Sequence, residues 1–381
     1  HKQVVKAPAF SNNILIKVKN MDCQVSNAAV LEILSETDIK QELLTLLSGE
    51  KEKAICFPKL TGRCRVGDRV VLNTTAVSLS LGSGGYHFVM AIINNRKLDI
   101  LQNEGHIMKL RYTPLQGRVL SVEEPDSPYH QLLAQVDDIA GLPVIVGTLH
   151  SMLAPVCLGF NYAAPDKKLV YLMSDGAALP LALSRQVEML TKLEMLKDTI
   201  TFNHAFGGNF EAVNVYSALL TAKHVCRADA AVILMGPGIV GTNTRWGTTA
   251  LEQGVFLNAI HTLKGTAIGL PRISFADPRQ RHLGISHHSL TVFNRITEHP
   301  CSIPLPMDLK EKHEINSQLS LLENHLIKWI NTNEYRYILT DTEIELKSMG
   351  RTPNEDLYFF DTAFASGLFA GWHCVQSTPL E

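Results

Sequence analysis

Short segments in which apolar and polar residues alternate follow one another through the first third of the chain. They are separated by glycine, asparagine, aspartate and proline, which favour turns. The segments cover residues 13–19, 53–58, 68–75, 86–93 and 117–124. Alternation with period two places one face of each strand in a core, so the pattern predicts a small antiparallel β-barrel or sandwich domain over residues 1–125.

From about residue 140 the pattern changes to continuous apolar runs that alternate with segments of helical periodicity. The runs cover residues 142–149, 168–174, 198–203, 230–235, 266–275 and 335–340. Such runs are typical of parallel strands buried on both faces, so they predict an α/β domain over residues 126–381 with a largely parallel, doubly wound sheet. Apolar residues at helical spacing from Ile315 to Trp329 predict a covering helix, and a capping box from Thr352 to Glu355 predicts the start of another.

Composition and charge exclude several classes of partner. The chain has 381 residues, of which 45% are hydrophobic and 19% charged, and its formal net charge at pH 7 is −2. This balance gives no basic surface for nucleic acid or an anionic membrane, so the expected partner is a small molecule. Seven cysteines without a C-x-x-C pair and the lack of a long apolar run favour a reduced, cytoplasmic protein. The composition is also compatible with a homo-oligomer.

The residues that follow the predicted strands are rich in histidine and aspartate. His150, Asp175, His204 and Asp277 each follow a different apolar run. Ligands of open parallel sheets bind beyond the carboxyl ends of the strands, so these side chains are expected to share one cleft. We expect His150 or His282 as general acid or base, with Asp175 or Asp277 as the orienting carboxylate. The alternative is that each residue caps its own loop.

A glycine pair follows the predicted strand 198–203. In NHAFGGNFEA, Gly207 and Gly208 precede a predicted helix that opens near Asn209. The free N–H groups of that helix would bind a phosphate or carboxylate, and Glu211 joins the candidate ligand-binding residues. The alternative is that the glycines only permit a sharp turn.

A second glycine-rich stretch, MGPGIVGTNTRWG, begins at Met235. Its glycines have the spacing of a dinucleotide-binding fingerprint, but Pro237 interrupts it and no helical pattern follows directly. We interpret the stretch as a ligand-binding loop rich in glycine and threonine. Its candidate ligand-binding residues are Gly236, Gly238, Gly241, Thr242, Thr244 and Arg245.

Three histidines stand close together in SFADPRQRHLGISHHS, residues 274–289. One interpretation is a site for a divalent transition metal, since imidazole and carboxylate are suitable ligands. The candidate ligands of such a metal are His282, His287 and Asp175. A second interpretation is a metal-free grip on an anionic ligand by Arg281, His287 and His288, and a third is a solvated loop.

Several stretches carry a resemblance to a known family. They include GDRVVLNTTAVSLSLGSGGYHF, DDIAGLPVIVGTLHSMLAP, MGPGIVGTNTRWG, ADPRQRHLGISHHSLT and SMGRTPNED. In order along the chain, from residue 67 to about 356, they resemble a bacterial family, domain of unknown function 3866. The resemblance implies a shared fold over most of the chain and no assigned reaction. Arg351, in the last of these stretches, completes the candidate ligand-binding residues.

These features predict an enzyme that acts on a small anionic substrate, either phosphorylated or carboxylated. Hydrolysis or group transfer is favoured over oxidation and reduction, because no nicotinamide-binding context is present. The sequence names no cofactor beyond the alternative of a divalent metal. The competing prediction is a sensor or regulatory protein that binds a small ligand without catalysis.

Overall fold

The computed structural model describes residues 23–80, 83–93 and 105–376. The chain divides into two compact units between Leu98 and Asp99. This division lies before the predicted boundary at residue 125, because the segment from 105 to 125 folds with the second unit. The predicted strand 13–19 lies outside the described residues.

The first unit is a closed barrel of five strands in the order β1-β2-β3-β5-β4. The strands are β1 (Val25–Glu36), β2 (Gln41–Leu47), β3 (Glu50–Cys56), β4 (Arg69–Asn73) and β5 (Tyr86–Ile92), with the short helices α1 (Pro58–Thr61) and α2 (Thr75–Ser78). Inward-facing residues such as Val30, Leu43 and Leu72 form its core. The predicted barrel is confirmed, although β3 pairs with β5 in parallel, so the barrel is not wholly antiparallel.

The second unit is built on a sheet of eight parallel strands in the order β11-β10-β9-β12-β8-β13-β16-β17. These strands are β8 (Pro143–Val146), β9 (Leu169–Ser174), β10 (Asp198–Phe202), β11 (Phe210–Ala212), β12 (Ala230–Met235), β13 (Thr266–Gly269), β16 (Ser302–Pro306) and β17 (Leu326–Ile330). Two further pairs, each antiparallel, are β6 (Ile107–Lys109) with β7 (Gly117–Val119) and β14 (Ile273–Ser274) with β15 (Gly284–Ile285). Strands β9 and β12 are buried along their whole length, as their continuous apolar runs predict.

Helices cover both faces of this sheet, which confirms the predicted α/β fold. They are α3 (His130–Leu133), α4 (Leu153–Ala163), α5 (Arg185–Lys192), α6 (Val215–Leu220), α7 (Glu252–Thr262), α8 (His287–Arg295), α9 (His313–Leu319) and α10 (Leu357–Gln376). One core layer packs α4, α5 and α10 on the sheet, and the other packs α6, α7 and α8 on the opposite face. Helices α4 and α10 approach so closely that a Cβ atom on Gly159 or Gly367 would meet backbone atoms of the other helix.

Three predicted elements are wrong. The run 335–340 lies in a 3-10 segment, Asn333–Leu339, and the predicted helix 315–329 divides into α9, a 3-10 turn and the edge strand β17. The capping box at Thr352 closes a turn, and α10 begins only at Leu357. Strand β16 was missed because Pro304 and Pro306 weaken its strand pattern.

Within the described part of the chain, none of the helices has both the length and the apolarity needed to cross a membrane. The longest, α10, has 20 residues and is mostly buried within the second unit.

Candidate functional site

The eight strand ends place the predicted residues on one edge of the sheet. All eight strands run in the same direction, so the segments after β8, β9, β10, β12 and β13 leave together at the carboxyl edge. From β8 the chain crosses β12 to reach β9, and from β12 it crosses β8 to reach β13. This reversal marks the switch point at which open α/β sheets form their ligand crevice.

His150 follows β8 and forms a chain of hydrogen bonds into the core. Its Nε2 atom lies 2.5 Å from Ser184 Oγ, and its Nδ1 atom lies 3.2 Å from the Tyr171 hydroxyl. Tyr171 in turn donates to the main-chain oxygen of Met235 at 3.4 Å. Burial lowers the pKa of His150 to about 4, so the ring is neutral at pH 7. Both ring nitrogens are occupied, and neither predicted aspartate orients the ring.

Asp175 and His204 are brought together at the ends of β9 and β10. The Asp175 carboxylate accepts hydrogen bonds from Asn203 Nδ2 and from the His204 main-chain N–H, both at 3.1 Å. The His204 ring faces the other way and accepts from the Leu110 N–H at 3.1 Å. Asp175 therefore fixes the turn after β10, and the His204 imidazole is held by the segment after β6.

The predicted helix after the glycine pair is wrong. A short strand, β11, follows the pair and runs parallel to β10, while α6 begins several residues later. The Gly207 N–H donates to Glu211 Oε1 at 2.7 Å, and the Gly208 N–H donates to Thr201 Oγ1 at 3.1 Å. Gly207 has a φ of 97°, which a sharp turn requires. The alternative interpretation therefore applies, because both amides are used within the chain.

Glu211 belongs to a buried ion pair with Lys109, a residue that the sequence prediction missed. Lys109 Nζ lies 3.2 Å from Glu211 Oε2 and donates to the Asn203 main-chain oxygen at 2.8 Å. Burial lowers the pKa of Lys109 and raises the pKa of Glu211. The pair joins β6 to the turn beside Asp175, so Glu211 has a structural partner rather than an open ligand-facing position.

Asp277 is surrounded by arginines after β14. Arg272 Nη2 lies 2.6 Å from Asp277 Oδ2, Arg279 forms a two-pronged contact at 2.8 and 2.9 Å, and Arg351 lies at 3.9 Å. The Arg279 guanidinium first, and then Arg272, hold the pKa of Asp277 well below its usual range despite burial. Arg351 also binds Asp356 at 3.1 Å. Asp277 therefore organises three arginines and is unsuited to act as a base.

The three histidines predicted from the sequence lie side by side. The centroids of their rings are 4.0 to 5.3 Å apart. His282 is buried and its Nδ1 atom lies 2.8 Å from Ser286 Oγ, so it is oriented by a serine and not by Asp277. Burial and the neighbouring positive charges lower the pKa of His282 to about 3 and that of His288 to about 4. The pKa of His287 is lowered for the same reasons.

Buried polar atoms in this cluster lack partners within the chain. Arg272 Nη1, His287 Nε2 and His288 Nε2 are each shielded from solvent and have no hydrogen-bond partner among the described residues. The Arg272 side chain is only 7% exposed. Helix α8 also begins here, at His287, with Ser286 as its cap. We call Arg272, Arg279, His282, His287 and His288 the arginine–histidine cluster.

The glycine- and threonine-rich stretch forms a hairpin beside this cluster. Gly241 pairs with Thr248 in an antiparallel bridge, and a Cβ atom on Gly241 would lie 3.3 Å from His288 Cε1. Thr242 Oγ1 donates to the Gly247 main-chain oxygen at 3.0 Å, and Thr244 Oγ1 accepts from the Gly247 N–H at 3.1 Å. These two threonines therefore stabilise the hairpin itself. Arg245 and Trp246, between the two strands of the hairpin, are exposed.

The remaining glycines of the stretch connect it to the loop after β9. A Cβ atom on Gly236 would collide with the Ala178 main-chain oxygen, and Ala178 N donates to the Pro237 oxygen at 3.0 Å. Gly238 adopts a φ of 97° in the following turn. These positions shape the edge of the sheet through backbone packing.

Glu252 is a further acidic residue at this edge. It begins α7 and accepts a hydrogen bond from Ser174 Oγ at 3.2 Å, at the end of β9. Burial raises its pKa, and the charge of Asp175 raises it further. The preceding turn, Thr249–Leu251, packs against α8. Glu252 was not among the predicted site residues, and the cap of this turn is the Thr248 side chain.

Other predicted residues take different positions. Arg281 is exposed on the 3-10 turn Gln280–His282 and makes no ion pair with the described acidic residues. Arg272 and Arg279 were missed, because Arg272 lies inside the predicted strand 266–275 and Arg279 has no distinguishing spacing. In the sequence both lie close to Asp277: Arg272 is five residues before it and Arg279 two residues after it. Short turns can bring residues at such spacings together.

The described residues include no group of three or more histidine, cysteine, aspartate or glutamate side chains placed to hold a metal ion. Asp175, which follows β9, is bonded to Asn203 and His204 in the turn after β10, whereas His282 and His287 follow β14 and β15. The predicted metal set of His282, His287 and Asp175 is therefore not assembled.

The closed barrel and the eight-stranded parallel sheet define a two-unit α/β protein. Within that class, the chain belongs to the family described as protein of unknown function (DUF3866), whose match covers residues 53–367. No curated protein and no solved structure matches the chain. The predicted family is therefore confirmed.

Proposed function

We propose that the protein is an enzyme that binds the anionic group of a small substrate at the arginine–histidine cluster. The observation that carries the proposal is the set of three buried polar atoms, Arg272 Nη1, His287 Nε2 and His288 Nε2, without partners among the described residues. Buried polar groups are nearly always satisfied, so several on one cluster indicate a missing ligand. A phosphate or carboxylate offers the acceptors that a guanidinium requires.

The charge of the surroundings supports an anion. Three arginines, Arg272, Arg279 and Arg351, lie against two carboxylates, those of Asp277 and Asp356, which leaves an excess of positive charge. The first turn of α8 adds the positive end of a helix dipole. Because burial and the arginines keep the histidines neutral, their N–H groups can donate to an anion without first taking up a proton.

Glu252 is the group that we assign to proton transfer. Its raised pKa favours the protonated form, which a general acid needs, and Asp175 lies close enough for its charge to contribute. The turn Thr249–Leu251 connects Glu252 to α8, whose first residues belong to the cluster. In this scheme the cluster binds the anionic group, and water or an acceptor hydroxyl forms the new bond to it. Glu252 gives its proton to the leaving-group oxygen as the ester bond breaks, and the proton lost by the attacking hydroxyl restores Glu252.

One observation favours the second candidate, a sensor that binds the same ligand without catalysis. Asp277, the carboxylate nearest to the cluster, is saturated by arginines and cannot serve as a base. A site that contains only donors is sufficient for binding. The two candidates share the cluster and differ in the role of Glu252.

Isothermal titration calorimetry with sulfate and inorganic phosphate tests the binding step. We expect binding that is lost in Arg272→Gln and weakened in His288→Asn. Arg295→Gln is the matched control, since it removes the same charge from the exposed far end of α8. Equal binding by wild type and Arg272→Gln would refute the proposal.

Release of phosphate from a panel of phosphate monoesters then separates the candidates. An enzyme should show turnover that falls strongly in Glu252→Gln while ligand binding is retained. A sensor should bind the same esters, lose binding in Arg272→Gln, and show no turnover in any variant.

A further inference from the structure

We propose that the ligand of the arginine–histidine cluster is a nucleoside monophosphate whose base stacks on Trp246. This inference rests on the proposed anion site and names the part of the ligand that the cluster does not hold. The observation behind the proposal is an exposed tryptophan on a hydrogen-bonded hairpin beside the cluster.

Trp246 is 59% exposed, and Val240 on the opposite strand of the hairpin is 56% exposed. An exposed aromatic ring offers a flat apolar face, and this one lies on the hairpin that adjoins the arginine–histidine cluster. Arg245, the preceding residue, is also exposed and adds a positive charge to the hairpin. An aromatic ring with a neighbouring cation suits a flat base linked to a phosphate.

Hydrogen bonds on both sides of Trp246 fix the backbone of the hairpin. Gly241 and Thr248 form its base, and the Thr242 N–H donates to the Gly247 oxygen at 2.8 Å near its tip. Thr242 Oγ1 and Thr244 Oγ1 add two further hydrogen bonds across it. A rigid platform favours stacking because little conformational entropy is lost when the ligand binds.

The base of the hairpin lies against the arginine–histidine cluster. Gly241 packs on the His288 ring, whose Nε2 atom is one of the unpartnered atoms. Trp246 is two residues from Thr248, so their Cα atoms are at most about 7 Å apart. The chain path therefore keeps the Trp246 backbone near the arginine–histidine cluster, and the proposed ligand spans the two with a phosphate at one end and a base at the other.

The arginine–histidine cluster distinguishes Trp246 from an ordinary exposed apolar residue. The Arg272 side chain is more than nine-tenths buried and carries an unpartnered Nη1 atom. A protein partner that docked on Trp246 and Val240 would leave that atom unsatisfied, whereas a phosphate group satisfies it. The combined requirements favour a nucleotide over a protein surface.

Calorimetric titration with AMP, GMP, CMP and UMP, compared with ribose 5-phosphate, tests the inference. We expect at least one nucleotide to bind about tenfold more tightly than ribose 5-phosphate, the effect of stacking one base. Trp246→Ala should remove this difference without changing the affinity for ribose 5-phosphate, and Trp246→Phe should retain most of it.

Tryptophan fluorescence supplies a second readout. The nucleotide that binds should quench the emission of wild type but not that of Trp246→Phe, which keeps the other two tryptophans. If ribose 5-phosphate binds and no nucleotide binds more tightly, the inference is wrong and the proposed anion site stands. If no phosphate compound binds to wild type, both are wrong.

Discussion

Arg272 and Asp277 form a buried ion pair in which only one side of the guanidinium is used. Nη2 lies 2.6 Å from the Asp277 carboxylate, whereas Nη1 is shielded from solvent without a partner among the described residues. The Asp277 side chain is only 1% exposed. The aspartate thus fixes the orientation of the arginine and leaves its second terminal nitrogen for another group.

This pair predicts a large loss of stability when the aspartate alone is removed. Asp277→Asn leaves a buried guanidinium without its counter-charge, so the free energy of unfolding at pH 7 should fall by about 3 kcal/mol. Urea denaturation measures the change. The double variant Arg272→Met, Asp277→Asn should recover part of it, and Glu194→Gln on an exposed ion pair should have no measurable effect.

The loss of stability in Asp277→Asn should depend on pH. Because the pKa of Asp277 is lowered in the folded protein, its contribution is present above the unfolded-state pKa near 4 and is lost as the pH falls below it. The difference between wild type and Asp277→Asn should therefore shrink between pH 5 and pH 3. A constant difference over that range would show that the carboxylate charge is not the cause.

Anion binding should be coupled to proton uptake at the histidines. The pKa of His288 is lowered to about 4, mainly by burial and then by neighbouring positive charges. A bound dianion offsets those positive charges and therefore raises this pKa. Sulfate should therefore bind more tightly at pH 5.5 than at pH 7.5. Titrations at pH 5.5 in buffers of different ionisation enthalpy measure the uptake, which should decrease in His288→Asn. No uptake in wild type would show that His288 stays neutral when the anion binds, and the predicted pH dependence would be wrong.

The buried pair of Lys109 and Glu211 predicts a second stability effect. Lys109→Met leaves the Glu211 carboxylate buried without its counter-ion, so the free energy of unfolding should fall by about 3 kcal/mol. Lys197→Met, which removes a lysine from an exposed pair, is the matched control. Addition of Glu211→Gln to Lys109→Met should restore much of the loss. Without such recovery, the lysine would act through packing and not through charge.

The main sheet was predictable because its strands carry their own signal. A strand buried on both faces must be apolar throughout, and β9 and β12 satisfy this in continuous runs of residues. The position of the residues after the strands at one edge of the sheet was predictable for a related reason, since all eight strands are parallel. Neither inference required knowledge of distant contacts.

The details of the site depend on contacts that are distant in sequence. The glycine pair at Gly207 has the same local pattern before a helix as in a turn, and the pairing of β11 with β10 decides between them. Arg272 resembles an interruption of a strand until the chain folds back and places Asp277 against it. Glu252 resembles a helix-capping residue until β9 brings Ser174 to its carboxyl group.

Glu252 gives the most direct test of an acid at the carboxyl edge, because its pKa can be followed without a substrate. Burial and the charge of Asp175 raise this pKa, while the Ser174 hydroxyl lowers it. Infrared difference spectroscopy of the carboxyl band, assigned with Glu252→Gln, should show titration above the usual range for glutamate. Asp175→Asn should lower the pKa, and Ser174→Ala should raise it.

The raised pKa of Glu252 also fixes the sign of its effect on stability. A carboxyl group with a raised folded-state pKa stabilises the fold fully below its unfolded-state pKa near 4.3, and this contribution is lost as the pH rises through the folded-state value. Glu252→Gln imitates the protonated group, so it should be more stable than wild type at pH 8 and nearly equal to it at pH 4. Chemical denaturation at the two pH values measures this. Lower stability of Glu252→Gln at pH 8 would mean that the ionised carboxylate is favoured, and Glu252 could not then serve as the proton donor.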